Sequence, residues 1–150
     1  MIITFFGHRN FSDSRKYSAK IMEFLENSIR GEAVEFYLGG YGEFDNFAYQ
    51  CCEKYKKIHN NASLVFITPY LDGYSQEHNR TLSDLYDEII YPEIEDKPLR
   101  FAIHYRNRWM VDKADILICG VNHKWGGAYK AYCYAKRRGK TIFNVMSEDM

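Results

Sequence analysis

Metal-ligating patterns are missing from this sequence. None of the four cysteines forms a CxxC pair, and the five histidines are not spaced to complete a zinc site, so no metal is expected. Cys51, Cys52, Cys119 and Cys133 read instead as free thiols; Cys119 falls in an apolar strand and Cys133 on a helix, where a thiol behaves as a small hydrophobe. Free thiols suit a reducing compartment, and a cytoplasmic location is expected. Long apolar runs are missing as well. The amino-terminal one, residues 2–6, has no basic region before it and is far too brief for a signal or membrane span, so no membrane partner is expected. An excess of either charge is missing too: 20 Lys and Arg stand against 20 Asp and Glu, for a formal net charge of zero. That balance argues against non-specific binding to a nucleic-acid backbone, so any anion has to be recognised locally.

What the sequence has is one pattern three times over: a short apolar strand, a glycine loop, then an amphipathic helix. Residues 2–6 run into Gly7-His8-Arg9, residues 34–38 into Gly39-Gly40-Tyr41-Gly42, and residues 116–121 into Trp125-Gly126-Gly127. In a parallel sheet such loops open on one edge, where helix N-termini offer free N–H groups and a partial positive charge to an anion. The length of 150 residues, with 46% hydrophobic and 27% charged content, suits one domain with a substantial core; 13 Tyr and 10 Phe suit an aromatic core and rim.

The first helix is expected to start near Ser12, Asp13 and Ser14, to bury Tyr17, Ile21, Phe24, Leu25 and Ile29, and to stop at Gly31. A second helix is expected over 44–58, and a strand over 62–68 whose near-continuous apolar run suits cover on both faces. Residues 72–98 are strongly acidic and broken by Pro92 and Pro98; they read as an excursion near the pocket edge, with a short helix over 82–89. A short strand over 100–103, a helix over 104–113, a buried strand over 114–121, a helix over 127–138 and a last strand over 141–145 complete the pattern. Its alternation predicts an α/β, Rossmann-like, doubly wound and mostly parallel sheet with helices on both faces, in a single domain over residues 1–150.

Four groups of residues are candidates for chemistry. Gly7 permits a tight turn, Arg9 offers a fork of donors suited to phosphate, and His8 titrates near neutrality; the alternative is a turn glycine with two solvated side chains. Gly39, Gly40 and Gly42 expose backbone N–H groups before a helix, although no Lys-Ser/Thr pair makes a Walker loop and the spacing is not GxGxxG. Asp45 falls in that helix's first turn, where it either profits from the helix dipole or accepts from a ribose hydroxyl. Arg106, Asn107 and Met110 share a helix face suited to a base or sugar, Trp109 reads as core, and Asp115 reads as a cap or a partner of Lys113. Gly126, Gly127 and Ala128 form the third cradle, with Lys124 to supply charge. Lys136-Arg137-Arg138-Gly139 reads as ordinary helix-end chemistry and not as a nucleic-acid patch.

These residues together resemble the SLOG superfamily, and most nearly its YpsA-like branch. The resemblance is carried by Thr4 to Arg9, by Gly39 to Asp45, by Arg106 to Met110 continuing through Ala114 to Ile118, and by Gly126 to Ala128 continuing through Tyr134 to Lys136. It implies a Rossmann-like fold, often oligomeric, with a pocket for nucleotides or nucleotide-derived ligands; some members release a base from a nucleoside monophosphate, and others act in stress or phage-defence signalling. The LOG-like phosphoribohydrolase branch carries PGGxGTxxE where this chain has Trp125 through Cys133. Here Trp125 stands for the proline, Tyr129-Lys130 for Gly-Thr and Cys133 for the glutamate, while Arg106-Asn107 stands for an Arg-Lys pair.

The expected function is a binding module for a nucleotide or an ADP-ribose-like signal, a homo-oligomer needing no cofactor and having no non-specific affinity for nucleic acid. Its ligand contacts are expected from Gly7, His8, Arg9, Gly39, Gly40, Gly42, Asp45, Arg106, Asn107, Met110, Gly126, Gly127 and Ala128. One alternative is a nucleotide N-glycosidase using Asp45 or Glu43. Another is a protein-interaction subunit with a vestigial pocket, binding through Tyr70, Tyr74, Tyr86 and Tyr91.

Overall fold

The computed structural model describes residues 1–12, 14–70 and 84–149. Strand β1 (Ile2–Gly7) buries Ile3 and Phe5 on one face and Thr4 and Phe6 on the other, so it needs cover on both sides. The same holds for β2 (Val34–Leu38), β3 (Ala62–Ile67) and β5 (Ile116–Gly120), whereas β4 (Glu88–Ile90) and β6 (Thr141–Asn144) are short, partly exposed edges. The sheet is six-stranded, in the order β4-β3-β2-β1-β5-β6, and every neighbouring pair is parallel. The chain therefore builds outward from β1 to β4, then returns to the other side of β1. Connections diverge between β1 and β5, which leaves a crevice at the carboxyl ends of those strands.

Two pairs of helices supply the cover. From α1 (Arg15–Ile29) and α2 (Glu43–Ile58), Ile21, Leu25, Phe44, Cys51 and Tyr55 pack on Ile3, Phe5, Phe36 and Leu64. From α3 (Ala102–Lys113) and α4 (Gly127–Arg137), Met110, Val111, Ala131 and Ala135 pack on Phe6, Tyr37, Val65 and Leu117. Phe36 and Phe44 are fully buried, each contributing about 1.5–3 kcal/mol through the surface it removes from water. Ser14 caps α1 by accepting from the Tyr17 N–H at 3.2 Å, and the chain leaves that helix through left-handed Arg30 and Gly31. The four cysteines are free.

The structure corrects three local expectations. The short helix expected over 82–89 ends early: residues 71–83 lie outside the described part, Asp84 and Leu85 are helical, and Glu88–Ile90 is a strand paired with β3. Its approach is fixed by Asp87, whose carboxylate accepts from the Leu64 N–H at 2.8 Å and from Lys56 Nζ at 2.6 Å. Residues 100–103 form no strand, because Pro98 opens a 3-10 turn over Leu99–Phe101, with the Phe101 N–H bonded to the Pro98 carbonyl, that runs directly into α3. Asp115 neither caps nor pairs with Lys113; its Oδ2 accepts from the Ile2 N–H at 2.8 Å and ties the start of β1 to that of β5. No helix among the described residues is long and apolar enough to cross a membrane.

Candidate functional site

The crevice at the switch point holds a cavity of about 400 Å3, a size suited to a small ligand. Its walls come from the loop after β1, the loop after β2 with the first turn of α2, one face of α3, and the loop after β5 with the first turn of α4. Gly7, His8, Arg9, Gly39, Asp45, Arg106, Asn107, Met110, Gly126, Gly127 and Ala128 all border it. Gly40, Gly42 and Glu43 do not. A Cβ on Gly40 would sit 2.4 Å from the Phe66 ring and one on Gly42 2.9 Å from Arg9 Cα, so these glycines answer to packing. Glu43 turns away and accepts from the Phe11 N–H at 2.9 Å, while its own N–H donates to the Arg9 carbonyl at 2.9 Å.

The three glycine loops are thus not equivalent. A Cβ on Gly7 would lie 2.0 Å from Phe44 Cγ, and one on Gly120 2.5 Å from Phe44 Cε2; the paired glycines of β1 and β5 form a slot for that ring. The first loop leads to no immediate helix, since α1 begins at Arg15 under its own Ser14 cap. The start of α2 has spent an N–H on Arg9. Among the described residues the start of α4 meets no such contact: Gly126 caps it at φ 93° and ψ 172° with no side-chain hydrogen bond, and a Cβ on Gly126 or Gly127 would meet nothing within 4 Å. Its first N–H groups have no partner within the helix, and Gly126, Gly127 and Ala128 border the cavity at the positive end of the dipole.

Arg106 is buried, and its guanidinium works largely inward. Nη1 donates to the Ile67 carbonyl at 2.7 Å and to the Gly39 carbonyl at 3.2 Å, and Nε donates to Asn107 Oδ1 at 3.0 Å. It is a strut between α3 and the ends of β2 and β3 more than a free cation. Asp45 Oδ2 accepts from the Tyr41 N–H at 2.7 Å. Burial pushes the Asp45 carboxyl up to about 7, against the opposing pull of Arg106. Arg9, by contrast, is exposed at the mouth, and its guanidinium has no partner among the described residues.

Two rings at this site escaped the sequence reading as contact residues. His8 stacks on His123 at 3.4 Å with the planes 10° apart, and His123 stacks on Trp125 at 3.9 Å and 22°. His8 Nε2 accepts from the Asn122 N–H at 3.0 Å, and burial, then the neighbouring His123, holds its pKa below the ordinary imidazole value. The stack therefore begins with a neutral buried imidazole and ends in an indole that is 71% exposed at the cavity rim. Its only signal in the sequence was an aromatic residue in each loop flanking the switch point. The tyrosines proposed as a partner surface are otherwise placed: Tyr70, Tyr86 and Tyr91 are each half-buried, Tyr86 packs on Phe66 and Tyr49, and Tyr74 lies outside the described residues. No described residue of 84–98 borders the cavity.

No protein-family model matches the chain, and no curated protein matches it in sequence. Among solved structures it is similar to DNA processing protein A (DprA) of Streptococcus pneumoniae, with a TM-score of 0.65 and 18% identity over 95% of this chain and 49% of that one. It is equally similar to DNA processing protein A of Helicobacter pylori, for which a single-stranded DNA binding mode is described, with a TM-score of 0.65 and 15% identity over 96% of this chain and 64% of that one. The chain thus spans about half to two thirds of the length of these proteins. The expectation of no non-specific nucleic-acid binding is contradicted by the Helicobacter pylori protein, which shares this fold and has a described single-stranded DNA binding mode. Net charge sums the whole surface, whereas a strand meets only one part of it. Here the groove between α3 and α4 is lined by Arg100, Arg108, Lys124, Lys130 and Arg137, and by no carboxylate among the described residues. At such identities the likeness shows the fold, an α/β Rossmann-like sheet, which agrees at that level with the SLOG resemblance.

Proposed function

We propose that the cavity at the switch point binds a nucleotide unit, with its phosphate on the open N-terminus of α4 beside Arg9 and its base against Trp125. One observation carries this reading: an uncapped glycine helix start and the exposed end of a three-ring stack border the same cavity. Asn107 and Asp45 supply polar edges, and Phe6 and Met110 an apolar wall. The DNA-processing neighbours add a fold that serves nucleotide polymers elsewhere.

The arrangement favours holding over cleaving. Asp45 is the one carboxyl among the described lining residues, and one of its oxygens is already engaged by Tyr41. Glu43 faces elsewhere, and by the phosphoribohydrolase resemblance Cys133 stands where that branch carries its glutamate. A hydrolytic reading rests on Asp45 alone, whose raised pKa lets it keep a proton near neutrality. Free base released from AMP, and abolished by Asp45→Asn, would establish it; release of none is expected.

Thermal unfolding in the presence of nucleoside monophosphates tests the binding. A ligand at about 100 times its Kd stabilises by roughly 2.7 kcal/mol, and each kcal/mol raises Tm by about 2–4 °C at this chain length. The shift should shrink with nucleoside or phosphate alone and in Trp125→Leu. No shift with any nucleotide, or one undiminished in both Trp125→Leu and Gly126→Ala, would refute the assignment.

A further inference from the structure

Beyond the cavity, α3 and α4 enclose a second and larger groove of about 810 Å3. The two adjoin, since Ile103, Asn107, Trp125, Gly126 and Gly127 border both. Five cations line the groove, and none of them makes an ion pair with a described residue, although Arg138, one residue beyond Arg137, is held by Asp112 at 3.1 Å. A run of unneutralised positive charge costs folding energy through self-repulsion, so its persistence along one groove calls for an anion from outside. The field is felt locally: after burial, Arg108 and Lys130 depress the pKa of His104 in the groove wall.

The charges alternate with rings. Arg108 lies 4.9 Å and Arg137 5.8 Å from the Tyr134 centroid, and Arg100 lies 4.9 Å from that of Phe101. Phe101 is 44% and Trp125 71% exposed. An acidic peptide or a simple polyanion would use the cations and leave these faces wet. A single nucleic-acid strand uses both, with phosphates on the cations and unpaired bases on rings and guanidinium planes.

We infer that the groove between α3 and α4 is a track for single-stranded nucleic acid, and that the unit held in the cavity is one nucleotide of that strand. The second part rests on the nucleotide assignment of the cavity; the first does not. Arg100, Lys130 and Arg137 carry the backbone past Tyr134 and Phe101, and Trp125 stands at the junction where the strand enters the cavity.

Fluorescence anisotropy with a labelled oligothymidylate of about 12 nucleotides, within the site sizes of single-strand-binding modules, tests this beside calorimetry with thymidine monophosphate on the same samples. Wild-type protein should bind the oligonucleotide more tightly than the mononucleotide, with affinity falling steeply as salt rises, at a log–log slope of about −0.7 per phosphate engaged. Lys130→Glu with Arg137→Glu, both exposed side chains, should weaken the oligonucleotide by at least roughly tenfold and flatten the salt slope by about 1.4, leaving the mononucleotide unchanged. Arg100→Glu, on the opposite wall, should act in the same direction. An oligonucleotide bound no better than the mononucleotide, or one indifferent to these variants, overturns the track and leaves the cavity assignment standing. Loss of mononucleotide binding with groove-dependent oligonucleotide binding intact does the reverse. Equal affinity for polyphosphate of matched charge, or for a duplex, overturns the single-strand assignment.

Discussion

Asp45 and His8 face the same cavity with opposite titrations. The carboxyl of Asp45, ordinarily at 3.8, is pushed up to about 7 in the fold. Between those values the native state holds a proton that the unfolded chain has released, so the contribution of Asp45 to stability is full below about pH 4 and lost as pH rises through 7. Asp45→Asn keeps an oxygen for the Tyr41 N–H and removes the titration. Urea unfolding from pH 4 to 8 should therefore show a flatter profile for the variant, with its largest advantage over the parent at pH 8; parallel profiles would contradict the assigned pKa. His8 works in the other sense: its pKa is lowered, so its contribution is present above the ordinary imidazole value of 6.5 and lost as pH falls below it. Trp125 stands at the same scale. Stacking is worth about 1–3 kcal/mol per base, so Trp125→Leu should weaken a mononucleotide by roughly 5- to 150-fold while Trp109, which stacks on Tyr37 beside α3, remains as an internal fluorescence reference.

Among the elements, the glycines divide by what a methyl group would meet. Gly7→Ala drives a Cβ into the Phe44 ring and should cost about 1–3 kcal/mol as overpacking. Gly127→Ala enters open space on a helix and should leave stability within about 0.5 kcal/mol. Gly126→Ala has the same space but a backbone that side chains avoid, for about 1–3 kcal/mol of strain. Equal losses for Gly7→Ala and Gly127→Ala in chemical denaturation would contradict this division. The sequence shows all of these glycines after strands and before helices, yet their spacing does not say whether a ring or a ligand fills the space they leave. That depends on Phe44 reaching across two strands, a contact made only by the folded sheet. The same limit applies to Arg106: its place on the α3 face was legible, but its donors go to carbonyls of Gly39 and Ile67, brought together by β2 and β3. Secondary structure was most legible where the periodicity was long, as in α1, α2 and β3, and least so at Pro98, where a turn and a helix share an apolar run that also suits a strand.

For the whole molecule, strand order decides where function sits. The alternation of apolar strands and amphipathic helices made the parallel sheet legible, and the reversal between β1 and β5 then puts the cavity at one place on its edge. Net charge was the least informative whole-molecule quantity. Twenty charges of each sign sum to zero, while acidic residues collect at 84–98 and unpaired cations line the groove beside α4. In the proposed assignment the open start of α4 and the His8–His123–Trp125 stack bind the two ends of one nucleotide. Tryptophan-fluorescence titration with AMP, adenosine and ribose 5-phosphate, on the parent chain and on Trp125→Leu, tests it most directly. Saturable quenching by AMP, at least roughly tenfold weaker with either fragment alone and absent in Trp125→Leu, is the result predicted from one base stacked and one phosphate bound. Quenching of equal strength by adenosine and AMP, or unchanged AMP binding without Trp125, would contradict it.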